Sequence, residues 1–350
     1  MTQDDLHPNF SRSNVVLKLD ANVDARTVIL NPACARITDG SLQLYPRMVA
    51  PGNVSRIGSF RAQEVSGGTV EFEFRGYALE PQAEYELRSE PGGYGCEDPR
   101  VTFVPALACY VMLYVAYGPR GPEVAVAVSQ DGLAWRRIGL LCFKGRPESC
   151  ADKDAALFPE PVTSPAGVES LAFYHRPTLR ISVLGGESAI AAIEALPPSR
   201  REGIAIGYIP LAPAIADVSA LCHVAETHRL SLPGANWGSI KVGAGTPPVR
   251  IAQGWLSVIH GVDALPHPSG NTLLRYCAGV IVHDPSHLDR ILYRSRDPLF
   301  VPELPAELEG TLGDVVFPTG IDRRSETAFD IYYGMADDAI GAGRLNLASA

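Results

Sequence analysis

An all-β fold, whether sandwich, barrel or propeller, is what this sequence predicts, and three observations carry that expectation. The first is a succession of short β-rich runs separated by Gly, Pro and Asp turns. The second is composition: 33 glycines, 29 prolines, 46% hydrophobic and 20% charged residues in 350 describe a turn-rich chain with a large core. The third is the scarcity of convincing helices. Two or three ordinary domains would fit this length, yet barrels and propellers use as much in one unit.

In chain order, β-rich runs fall at 15–19, 27–30, 42–45, 55–60, 69–74, 110–116, 123–128 and 135–141. The series resumes at 171–175, 204–209, 255–260, 273–283, 291–294, 314–317 and 329–333. Two segments read as helices carried on this frame: 187–196, Ala-rich and ended by Pro197-Pro198, and 214–228. Nothing resembles a linker, so the expectation is a mobile N-terminal arm, 1–14, followed by a single catalytic domain, 15–350. Ser129-Gln130-Asp131-Gly132 before Trp135 reads as strand, tight turn, strand, and similar arrangements recur at 284–294 and 337–347. Recurrent four-stranded units of roughly 45 to 60 residues would make a propeller of about five to seven blades.

A net charge of −9 argues against a phosphate-tracking nucleic-acid surface and leaves a small molecule as the better partner. No apolar run approaches the roughly 20 residues that span a bilayer. Met-Thr-Gln-Asp-Asp lacks the basic-then-apolar order of a secretory signal, so a cytoplasmic location is expected. The seven cysteines, Cys34, Cys96, Cys109, Cys142, Cys150, Cys222 and Cys277, form no Cys-x-x-Cys pair, which argues against a disulfide framework and a zinc ribbon.

Several segments at the ends of expected strands are richer in polar, Gly and Pro residues than packing requires. They are Asn31-Pro32-Ala33, Tyr45-Pro46-Arg47, Cys96-Glu97-Asp98-Pro99-Arg100, Asp152-Lys153-Asp154, Tyr174-His175-Arg176-Pro177 and the loop from Lys241 to Pro248. Gly254-Trp255-Leu256 with His260-Gly261, Glu307 with Gly310, Phe317-Pro318-Thr319-Gly320, and Tyr332 to Asp337 complete the set. Alone, Glu97-Asp98-Pro99 is a turn, because Pro fixes its own φ and restricts the residue before it. Taken together and in this order, the segments resemble glycoside hydrolase family 130, the β-mannoside phosphorylases and related β-1,2-mannosidases, from about Asn31 to Asp337.

The resemblance implies a five-bladed β-propeller with small helical insertions, acting on β-mannosides of manno-oligosaccharides with inversion. It places Asp98 as the catalytic acid on the glycosidic oxygen, in several members thought to be relayed through a mannosyl hydroxyl. It sets Asn31, Arg47 and Asp337 around the mannosyl unit, and Tyr174, His175, Arg176 and His260 along the cleft. It puts Lys153, Asp154 and Lys241 where phosphorylases collect phosphate, with His260 beside them. Tyr333, like Trp255, either stacks on a sugar face or packs in the core. No cofactor is implied beyond inorganic phosphate as co-substrate. No metal is expected, since no His-x-His or His-x3-His spacing occurs, and self-association is common among members.

Glycoside cleavage needs an acid on the leaving oxygen and a nucleophile on the opposite face. In phosphorolysis that nucleophile is phosphate, so one carboxylic acid and a cationic pocket suffice, and the product is α-mannose 1-phosphate. In hydrolysis a second carboxylate must activate water, and Glu307, then Glu303, are the candidates. One departure bears on the choice: Lys153-Asp154 stands where the phosphorylases have an Arg-Asn pair, and Asp154 repels phosphate unless a cation compensates. The expectation is phosphorolysis, with hydrolysis as the alternative and a non-catalytic glycan-binding propeller as the second.

Overall fold

The computed structural model describes residues 6–19, 27–64, 70–90, 92–145, 151–179, 182, 186–230, 237–266 and 271–349. The chain opens with β1 (Leu6–Leu17), then β2 (Val28–Arg36), β3 (Leu42–Ala50), β4 (Val54–Glu64) and β5 (Val70–Leu79). A second group follows: β6 (Tyr94–Val104), β7 (Cys109–Gly118), β8 (Gly121–Ser129) and β9 (Arg136–Leu140). Next come β10 (Cys142–Phe143), β11 (Asp152–Leu157), β12 (Val162–Thr163), β13 (Glu169–Pro177), β14 (Ala205–Pro210), β15 (His223–Val224) and β16 (Glu226–Arg229). The last strands are β17 (Lys241–Ala244), β18 (Val249–Ile251), β19 (Gly254–Pro266), β20 (Thr272–His283), β21 (Ile291–Arg294), β22 (Val316–Arg323), β23 (Ala328–Met335) and β24 (Ala339–Ser349). The protein is all-β with few helices, as the turn spacing leads one to expect.

Neighbouring strands pair antiparallel in the orders β11-β13-β14-β16, β17-β19-β20-β21 and β22-β23-β24-β1. The groups β2–β5 and β6–β9 join into one sheet through a short parallel contact, Val54 opposite Tyr94 and Ser55 opposite Gly95. Gly95 permits that approach: its φ is +123°, and a Cβ there would lie 2.1 Å from the Ser55 carbonyl oxygen. No sheet closes on itself among the described residues.

The apolar faces meet between consecutive groups. Tyr45, Ile57 and Met112 pack between the first and second, and Val126, Leu157 and Phe173 between the second and third. Tyr174, Trp237 and Ile259 fill the space between the third and fourth. Val258, Phe329 and Met335 lie between the fourth and fifth, and Ile29, Leu44 and Tyr332 between the fifth and first. The first strands of successive groups touch, β2 packing on β6 and β22, and β11 on β6 and β17.

Two expectations are corrected. From Leu6 onward the segment read as an arm is strand β1, which pairs along β24 from Leu6 opposite Ser349 to Leu17 opposite Ile340. An edge strand buries one face only, so Leu6 and a Phe10 ring stacked on Phe300 at 4.1 Å suffice in an otherwise polar sequence. The helix expected over 214–228 is shorter and earlier, Leu211–Ala216. Asp217 stops it by accepting from the Ser219 amide and starting a 3-10 turn, after which the chain becomes β15 and β16. The other helix, Gly186–Glu194, lies where the sequence places it.

Candidate active site

Three of the inner strands break register where the motifs fall. The shifts lie between Leu30 and Ala33, between Glu97 and Arg100, and between Lys153 and Ala156. Within them Asn31, Asp98 and Asp154 adopt left-handed φ of 46°, 44° and 57°, and Asp337 after β23 does so at 52°. Asn and Asp tolerate this region best among residues bearing a Cβ, and a bulge re-aims the side chain it carries. All four side chains line one cavity of about 350 Å³. Strain of this kind concentrates where a structure holds a ligand.

One wall of the cavity is acidic. Asp98 accepts from Asn31 Nδ2 at 2.9 Å and from Arg47 at 3.4 Å, and Arg47 also binds Glu97 at 2.8 Å. Burial pushes the Asp98 carboxyl up, but Arg47, Lys153, Arg100 and the Asn31 hydrogen bond outweigh it and leave the group below its ordinary value. Asp337 shows the reverse balance. Burial and the neighbouring Asp98 charge raise it to about 6, with Arg47 opposing. Behind this wall Arg100 is fully buried, donating to the carbonyls of Asp98, Ala244 and Gly245, which ties β6 to the loop after β17.

The cationic wall lies around Asp154, with carboxylates woven in: Arg176 and Lys241 line it, Lys241 lying 5.3 Å from the Tyr276 ring centroid, and Lys153 stands between it and the acidic wall, its Nζ 3.5 Å from Glu97. Arg176 donates through Nε to Asp154 at 2.5 Å and through its terminal nitrogen to Glu202. Arg100 lies 3.7 Å from Asp154, and His260 Nε2 lies 3.6 Å away. Burial raises the Asp154 carboxyl, but Arg176, His260 and Arg100 hold it far below the usual carboxylate range. The compensating cation that the sequence requires for Asp154 is therefore present twice over. His260, buried, is held down to about 3 and is neutral near pH 7.

Of the residues singled out by sequence, the cavity gathers Asn31, Arg47, Asp98, Lys153, Asp154, Arg176, Lys241, His260 and Asp337. Tyr174, His175, Trp255, Tyr333, Glu303 and Glu307 do not line it. Tyr174 packs against Phe158 and His283 in an inter-sheet core. His175, on the opposite pleat from Arg176, binds Asp152 at 2.6 Å and Thr227 at 2.7 Å. Tyr333 gives its hydroxyl to Glu307 at 2.9 Å. Glu307 itself is fully buried, holding Arg12, Tyr333 and the amides of Glu303 and Leu304, so its carboxylate has no path to a substrate water. Glu303 is exposed and paired with Arg12.

Tyr117, Glu202, Tyr276 and Phe317 also line the cavity. Glu202 lies at the end of the inserted stretch and carries no motif; its bonds to Arg176 and to the Leu179 amide place it at the cavity. Among the described residues no group of three or more His, Cys, Asp or Glu is placed to hold a metal ion.

The family model described as β-1,4-mannooligosaccharide phosphorylase, glycoside hydrolase family 130, matches residues 4–187 and 225–349. A 1,2-β-oligomannan phosphorylase of Thermoanaerobacter sp. (strain X514) is 26% identical over 270 residues, 76% of this chain and 71% of that protein. The β-1,2-mannobiose phosphorylase of Listeria innocua, solved with β-1,2-mannobiose, shares the fold with a TM-score of 0.70 at 19% identity over 97% of both chains. A structure from work on family 130 glycoside hydrolases that target β-1,2 mannosidic linkages in Candida mannan gives 0.69 at 19% identity, over 96% of this chain and 93% of that one.

Proposed function

Because the chain belongs to glycoside hydrolase family 130, we propose that its cavity carries out inverting phosphorolysis of β-mannosidic bonds in manno-oligosaccharides, releasing α-mannose 1-phosphate. The observation that carries this reading is the cavity's lining: Asp98 and Asp337 side by side, Arg176 and Lys241 around Asp154, and Lys153 between the two, 3.5 Å from Glu97. A mannosyl unit held by Asn31, Arg47 and Asp337 would present its glycosidic oxygen toward Asp98. Asp98 delivers the proton, directly or through a sugar hydroxyl, as the bond to the leaving sugar breaks. A phosphate oxygen gathered on the cationic wall attacks the anomeric carbon from the other face, which inverts it. The engagement of Glu307 with Arg12 and Tyr333 supports phosphate over a water activated by that residue.

The same reading takes the five sheet groups, with cores between each consecutive pair and between the last and the first, as a five-bladed propeller whose single domain surrounds the cavity. Six described cysteines are free, in keeping with a reducing, cytoplasmic setting where inorganic phosphate is at hand. The test is a product assay on β-1,2- and β-1,4-linked mannobiose with and without phosphate. Mannose 1-phosphate formed only when phosphate is supplied is expected; free mannose released at the same rate without phosphate overturns the reading.

A further inference from the structure

Asp154 and His260 form an unusual pair on the cationic wall. His260 Nδ1 lies 3.1 Å from the Ala244 carbonyl, which only accepts, so Nδ1 carries the ring proton. Nε2 is then a bare acceptor, and it faces Asp154 Oδ2, another acceptor, at 3.6 Å. Among the described residues Nε2 makes no hydrogen bond. The two groups are packed this closely by the absence of a side chain: a Cβ on Gly243 would lie 2.3 Å from both Asp154 Oδ2 and His260 Cε1. Neighbouring cations compensate Asp154 but leave Nε2 without a donor: Arg176, shared with Glu202, donates to Asp154 Oδ2 from β13, Arg100 approaches it from β6, and Lys241 lies on β17 beside His260.

Toward the cavity Nε2 lacks a donor, and the Asp154 carboxylate, which holds Arg176 through Oδ2, has lone pairs to spare, so a ligand that donates to both fits between them. We propose that Asp154 and His260 form a seat for the two protonated oxygens of dihydrogen phosphate, so that the protein takes this form and rejects anions that carry one proton or none. The inference rests on the phosphorolytic reading and adds to it the protonation state of the co-substrate and the residues that select it. One P–OH donates to the Asp154 carboxylate and the second to Nε2, which the monohydrogen dianion with its single proton cannot do, while the two remaining oxygens accept from Lys153, Arg176 and Lys241. Sulfate has the same shape and the charge of the phosphate dianion, but no proton near neutral pH. It meets the Asp154 charge with nothing to offer. Asp154 and His260 both titrate far below neutrality, and Asp337, raised to about 6, is ionised throughout the weakly alkaline range, so the pH response there belongs to the anion.

Calorimetric binding of inorganic phosphate and of sulfate to the intact protein, at matched ionic strength, tests this. Phosphate affinity should fall by about tenfold per unit between about pH 7.5 and about pH 9, as the dihydrogen form gives way to the monohydrogen dianion. Sulfate should bind at least about tenfold more weakly than phosphate at the lower pH. Asp154→Asn replaces an acceptor by an amide that can donate, and should bind sulfate as well as phosphate with a flattened pH slope. Should that variant fail to fold, the wild-type titrations decide alone. Equal sulfate and phosphate affinity in the wild type, a pH-independent phosphate affinity, or no phosphate binding overturns the seat. A protein that shows the expected binding yet releases mannose without phosphate keeps the seat and loses phosphorolysis; one that phosphorolyses but binds sulfate equally loses the seat alone.

Discussion

Asp98 and Asp337 share a cavity, yet their surroundings pull their proton affinities in opposite directions. Arg47, Lys153, Arg100 and Asn31 overcome burial at Asp98, whereas burial and the Asp98 charge dominate at Asp337. Such divergence is how two carboxyl groups take different tasks. The free protein thus holds a proton more readily on Asp337 than on Asp98, and Asp98 takes up the proton it delivers when substrate binds. If the Asp337 proton feeds the reaction, kcat/KM should fall as pH rises through about 6, because the protonated form is the productive one. A pH profile level from well below to well above that value would detach Asp337 from proton delivery. Asp98→Asn should lower kcat by about 10² to 10⁴-fold while mannobiose binding and Tm persist, and turnover near wild type removes Asp98 from its role. Stability gives a second handle. A carboxyl raised above its unfolded value destabilises the fold once it ionises, so the penalty at Asp337 is absent well below its unfolded pKa and complete above about pH 6. Asp337→Asn should therefore raise Tm at alkaline pH, with the gain shrinking as pH falls below about 6, while activity drops.

At the scale of the strand, the site is a set of bulges in inner strands, each holding an Asn or Asp in a left-handed turn. This part was legible in the sequence because Asn31-Pro32, Glu97-Asp98-Pro99 and Lys153-Asp154 carry residues that favour turns, whereas strands β6 and β11 that hold two of them are not among the β-rich runs. The resemblance sets Tyr174 and His175 along the cleft and leaves Tyr333 between a sugar face and the core. Position along and across the pleat decides otherwise: His175 points away from Arg176, and Tyr174 lies one pleat deeper in the core. Glu202, Tyr117 and Tyr276 were not legible, since their place at the cavity depends on how separate sheets meet and no local pattern reports that. The same dependence shows at Gly243, which reads as loop glycine but is the position where β17 lets Asp154 and His260 approach. A methyl group there lies 2.3 Å from buried atoms of both, so Gly243→Ala should cost about 1 to 3 kcal/mol of stability and raise KM for phosphate by about tenfold or more. Titration of initial rate against phosphate, with a melting curve, separates the two effects; an unchanged KM would show that the gap is not part of the anion site.

For the molecule as a whole, the decisive contact joins the two ends of the chain. β1 completes the group formed by β22, β23 and β24, and Arg12 within it reaches across to Glu307, whose side chain is fully buried. Glu307 also accepts from Tyr333 and from two backbone amides, so its charge is compensated only while Arg12 is in place. Removing one partner of a buried pair leaves an unpaired charge, and Arg12→Ala should lower stability by about 3 to 5 kcal/mol. Glu307→Gln gives up the charge but can keep part of the hydrogen bonding, and should melt lower than wild type while retaining kcat, because the residue does not line the cavity. A loss of kcat of two orders of magnitude with an intact fold would restore Glu307 as a catalytic group and reopen hydrolysis. Deleting residues 1–17 goes further than either substitution. It strips the partner from β24, exposing a long edge whose inner face includes Leu345 and Leu347, and such an edge pairs with other chains. The truncated protein should therefore aggregate, and any soluble fraction should lose its cooperative melt. A monomeric, cooperatively melting truncation would show that four groups and an open fifth suffice to hold the cavity.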